Sequence, residues 1–173
     1  MGAAAVITAL RWSVVLFTTL LLQTTLVARL PLFQERGDIV LLVVIAAAIL
    51  GGPERGAVIG FVFGLGFDLV LQTPFGLSAL AYCLTGYAIG ALQTTVLRST
   101  WWIPVLSAIA GSAIGVVTFA LIGDLLGQDG LVSDRLPAII GAVAIVNAVL
   151  VLPALRVVRW ASAPTRQARL QPR

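Results

Sequence analysis

The chain is 173 residues long, 60% hydrophobic and only 10% charged, with a mean hydropathy of +1.06. Soluble domains are about 25% charged, so this composition excludes one and indicates a multi-pass integral membrane protein. The net charge of +4 rests on arginine alone; with no lysine or histidine in the chain, it reads as a membrane-orientation signal rather than a nucleic-acid footprint.

Arg11 precedes an apolar run longer than the h-region of a cleaved signal, and no A-x-A site follows. Residues 12–30 are therefore expected to form a first spanning helix that stops at Pro31. A polar stretch, 34–38, leads into a second apolar run, 39–50. At about 1.5 Å per residue this run reaches roughly 18 Å, short of a bilayer core about 30 Å thick. Gly51-Gly52-Pro53-Glu54-Arg55-Gly56 gathers helix breakers and is expected to be a turn. Further helices are expected over 57–72, ending at Thr73-Pro74, and over 77–97, 105–126 and 136–158. Residues 1–158 thus read as one transmembrane domain, and 159–173 as a basic tail expected to be disordered.

Six crossings place both termini on one side. That side then holds Arg11, Arg55, Arg98, Arg156, Arg159, Arg166, Arg169 and Arg173, against Arg29, Arg36 and Arg135 on the other. Arginine gathers on the cytoplasmic side, so both termini are expected there. A re-entrant 39–50 segment would send the arginine-rich tail outside. Trp12, Trp101, Trp102 and Trp160 fall at the same cytoplasmic interface, where indole rings anchor at headgroup level.

Catalytic signatures are lacking. Without histidine there is no usual proton shuttle, and the lone Cys83 excludes an internal disulfide and suits a small buried hydrophobe. Gly76 to Leu80, "GLSAL", lacks the second glycine of a nucleophile elbow. No phosphate loop or histidine-based zinc motif occurs, and Asp124, Asp129 and Asp134 lack EF-hand spacing. The expectation is a protein that is not an enzyme and has no cofactor or metal site.

Gly56, Gly60, Gly64 and Asp68 recur every fourth residue and so share one helical stripe. Small residues in a stripe let another helix approach closely in lipid, which places Asp68 on a protein-facing surface. Three roles stand open for Asp68: an acceptor within the fold, a contact for a partner's transmembrane helix, or an ion-coupling or substrate group. Gln23, Tyr82, Thr85 and Asn147 are polar residues within apolar runs and candidate partners for it. Gly86/Gly90 and Gly111/Gly115 are further close-packing pairs, and Asn147 suits an interhelical hydrogen bond.

The stretch 37–90 resembles the MreD family of bacterial rod-shape-determining membrane proteins. Asp38 opens the short second helix, with Gly37 where the family often has proline, and a glycine-rich turn spans 51–56. A G-x-x-x-G-L-x-x-D run follows at Gly60, Gly64, Leu65 and Asp68. A T-P-x-G-x-x-A-L turn comes next, at Thr73, Pro74, Gly76, Ala79 and Leu80, and G-Y-x-x-G follows at Gly86, Tyr87 and Gly90. The resemblance implies an all-α, six-helix fold similar to the substrate-binding subunits of energy-coupling-factor (ECF) transporters. It implies a scaffold in the bacterial cytoplasmic membrane that binds an MreC-like single-span protein. That scaffold would act alongside MreB and a RodA-type polymerase with its transpeptidase, organising sidewall peptidoglycan synthesis. It brings no catalytic residues. Gly56, Gly60, Gly64, Asp68, Pro74, Gly76, Gly86 and Gly90 transfer as motif positions for helix packing or partner binding. The rival expectation on the same fold is a vitamin-binding or other small-molecule transporter subunit, with Asp68 lining a cavity open to the outside.

Overall fold

The computed structural model describes residues 3–25, 38–70, 74–95, 102–128 and 135–163, which form five helices and no strand. They are α1 (Ala3–Thr25), α2 (Ile39–Asp68), α3 (Leu77–Thr95), α4 (Ile103–Leu125) and α5 (Leu136–Ser162). By length and composition α1, α2, α4 and α5 are able to cross a bilayer, and α3 contains a shorter apolar stretch. Large side chains such as Phe17, Phe75, Ile145 and Val149 point outward from the bundle, a surface that suits lipid tails better than water.

The largest departure from the sequence reading lies at 51–56. The chain does turn there, but at a single residue: 39–68 is helical on both sides of a break at Gly52, with φ 79° and ψ −173°. Only glycine adopts that backbone without strain. Pro53 follows immediately, at the start of a second arm, where its missing N–H costs nothing because the first helical donors have no intrahelical partner. Glu54, Arg55 and Gly56 then continue as helix. In a straight helix residues eight apart are separated by about 12 Å along the axis. Here a Cβ built on Gly56 would meet the Cβ of Ala48 at 2.8 Å, so arms 39–51 and 53–68 fold back on each other.

The first arm is the centre of the molecule. Every residue from Val40 to Ala48 is buried. Protein encloses this arm on all sides, which accounts for a run too short to suit a lipid-facing span. Val44 lies against Gly86 of α3, while Ile45 and Leu41 enter the notches left by Gly111 and Gly115 of α4.

Other boundaries shift modestly. α1 begins at Ala3 rather than 12, because the alanine-rich start is strongly helix-forming. The second arm stops at Asp68 rather than Gln72. α5 continues through Ser162, past the expected start of the tail at Arg159. The expected features at Arg29, Arg36, Arg98, Trp101, Asp129, Asp134, Thr73 and 164–173 lie outside the described residues.

Candidate functional site

The second arm of α2 and α3 run antiparallel with their backbones in contact. Gly56, Gly60 and Gly64 are buried along the seam. A Cβ on any of them would come within 3.0 Å of α3: of Gly86 from Gly56, of Tyr82 from Gly60, and of Ser78 and Ala79 from Gly64. From the opposite side, Gly86 faces the Gly56 carbonyl and Gly90 faces Gly52 and Pro53. Water-driven apolar burial does not hold helices together in lipid, so this close van der Waals fit is what binds the pair. The stripe therefore meets this chain's own α3.

Asp68 closes the seam. It is 4% exposed, and its carboxylate takes three backbone amides at the start of α3. Oδ2 accepts from Gly76 N–H at 2.9 Å and Ala79 N–H at 3.2 Å, and Oδ1 accepts from Ser78 N–H at 3.0 Å. The first-turn donors of a helix have no intrahelical acceptor, and the helix dipole favours an anion beside them. Asp68 thus acts as a cap supplied from the neighbouring helix. The turn between is shaped by Gly76, with φ 98°, and by half-buried Pro74, whose carbonyl accepts from Leu77 N–H at 3.1 Å.

The side chains proposed as partners of Asp68 have other engagements. Tyr82 donates its hydroxyl to Asp38 Oδ2, and Phe67 stacks on the Tyr82 ring at 6.3 Å. Gln23 Oε1 accepts from Ile39 N–H at 2.9 Å. Thr85 donates to the Ala81 carbonyl one turn back, at 2.7 Å. Asn147, fully buried, donates to Ser112 Oγ at 2.8 Å and ties α5 to α4.

Asp38 does more than open α2. Its Oδ1 accepts from Leu41 N–H at 2.9 Å, so it caps α2 while Oδ2 holds Tyr82 of α3. An aspartate directly before an apolar run is a helix-start signal and predicts the cap. The link to Tyr82 spans 44 positions and has no local signal. Arg11, too, does more than orient the chain. Its guanidinium donates to the Ala163 carbonyl at 3.0 Å and lies 5.5 Å from the Trp160 ring centre. Trp12, half-buried, meets Phe63 edge-on, whereas Trp102 and Trp160 are exposed. Cys83 is half-buried rather than fully enclosed.

Among the described residues no three His, Cys, Asp or Glu side chains gather as metal ligands would. Asp38 and Asp68 are both engaged in joining helices. Chemically the arrangement does one thing well: it fixes a set of closely packed helices in lipid.

A family model for the rod shape-determining protein MreD matches residues 5–154. Neither the curated proteins nor the solved structures contain a significant match.

Proposed function

The chain belongs to the MreD family of rod shape-determining proteins, and on that premise we propose that it is a non-enzymatic scaffold of the bacterial cell-elongation machinery. The family acts in rod shape determination, within the shape-determining complex. In our reading the protein sits in the cytoplasmic membrane and binds an MreC-like single-span protein. Through it the scaffold keeps MreB, a RodA-type polymerase and its transpeptidase in one sidewall-synthesising assembly. The family match carries this reading, and the use of Asp38 and Asp68 as helix ties supports it. We further propose six crossings with both termini cytoplasmic, each arm of α2 making one. The fold-back at Gly52 and the eight-to-three split of arginines support that count. The six-crossing arrangement is also what a fold like the ECF substrate-binding subunits would have.

The transporter reading needs Asp68 on the wall of a ligand cavity. Its two oxygens instead hold the first turn of α3, so the site's geometry favours the scaffold.

Co-purification tests the partner. Full-length tagged protein extracted from its host membranes in mild detergent is expected to carry an MreC-like single-span protein at a constant ratio. Recovery of the folded protein with no such partner, across detergents and after cross-linking, contradicts the proposal.

A further inference from the structure

α1 is attached unlike the other helices. Only 11% of its spanning window is buried, against 56% for α2 and 28% each for α4 and α5. Among its described side chains only Val15 and Thr19 are buried. Leu16 and Leu20 rest over Gly66, where a Cβ would meet them at ordinary or slightly tight distances of 3.3–3.7 Å rather than clash. The backbone-to-backbone fit that joins the second arm of α2 to α3 is not repeated there. Apolar contact alone gives little association in lipid, because the tails solvate the same surface equally well.

Two polar side chains tie α1 to the bundle. Arg11, more than two turns into the helix, donates to the Ala163 carbonyl at 3.0 Å and to the Trp160 carbonyl at 3.4 Å, at the end of α5, with its guanidinium by the Trp160 ring. Near its end, Gln23 accepts the Ile39 N–H at the start of α2. Between them Trp12 of α1 meets Phe63 edge-on, with ring centres 6.0 Å apart. A guanidinium shared between two terminal carbonyls and a ring is a specific fastening.

We propose that α1 is a lateral gate, latched by Arg11 and Gln23, that swings away from the α2–α5 surface as a unit while the rest of the bundle stays assembled. The inference concerns the fold's own mobility and stands whether or not the proposed partner is found.

The test uses full-length protein in lipid nanodiscs, with Cys83→Ser as background and pairs of spin labels at lipid-facing positions. Labels at Phe17→Cys and Val149→Cys report α1 against α5; labels at Val58→Cys and Val149→Cys report the bundle itself. All three positions are exposed, so the labels disturb no packing. In the Arg11→Ala, Gln23→Ala double variant, the α1–α5 distances are expected to gain a second, longer population while the bundle pair is unchanged. Arg11→Lys, which keeps the charge but loses the fork, is expected to fall between. An α1–α5 distribution unchanged in the double variant overturns the proposal, since packing alone would then hold α1. Broadening of both pairs also overturns it, since the ties would then be holding the whole bundle.

Discussion

At Gly60 a single methyl group has nowhere to go, because the Tyr82 carbonyl and the Cys83 amide occupy its place. Gly60→Ala must therefore push α3 away from the second arm of α2, and overpacking of this kind costs about 1–3 kcal/mol. Gly141 on α5 is the control, since a Cβ there meets nothing within 4 Å. Gly141→Ala is expected to leave stability unchanged or raise it by up to about 1 kcal/mol, through helix propensity alone. Unfolding midpoints in detergent distinguish the two, and equal midpoints would show that the seam does not stabilise the fold. Asp68 gives a second contrast. Asp68→Leu strands three amides at once; one buried, unsatisfied donor costs about 1–3 kcal/mol, so the loss should exceed about 2 kcal/mol. Asp68→Asn keeps one acceptor oxygen but turns an NH2 group toward donors, and its midpoint should lie between wild type and Asp68→Leu. A leucine variant that unfolds with the wild type would mean that the cap contributes nothing. The four-residue spacing alone revealed that Gly56, Gly60, Gly64 and Asp68 share a face. It could not reveal what meets that face, because the answer is set by α3 backbone groups, which every sequence possesses.

Helix α2 shows where element-level reading holds and where it fails. The apolar run 39–50 was legible, and so was its shortness. Its shortness then finds a physical reason: α3, α4 and the second arm surround it, so it need not match the bilayer on its own. Glycine and proline signal a break without saying how many residues take part in it. Here one residue suffices, Gly52 at φ 79°. Proline then begins the next arm rather than ending anything. Gly52→Ala places a Cβ residue in a backbone region that costs about 1–3 kcal/mol for non-glycine residues. The variant is expected to unfold at a lower temperature by circular dichroism, although no neighbour crowds the site within 4 Å. An unchanged transition would show that the arms reverse without help from that conformation. Asn147 and Ser112 illustrate the other limit. Asn147 alone advertised an interhelical bond; that Ser112 of α4, 35 positions away, receives it required the fold.

For the whole molecule, composition alone indicated a membrane protein, and the segment 37–90 carried the family resemblance; outside that segment the helices are apolar with few distinguishing residues. The long-range ties, Arg11 to α5 and Asp38 to Tyr82, were invisible because they join distant parts of the chain. Sidedness is the first prediction at this scale. With Cys83→Ser as background, single cysteines at Gly2 and Arg173 are both expected to react with a membrane-impermeant maleimide only after the cytoplasmic side is opened. Labelling of the two from opposite sides would require an odd number of crossings. The central claim is that this protein maintains rod shape by scaffolding, and the most direct measurement is cell outline by microscopy as the protein is depleted in its own host. Rods are expected to widen and round up, and re-expressing the wild-type chain is expected to restore them while Gly60→Leu, which disrupts the seam, is not. Cells that remain rods of normal width after full depletion would contradict it.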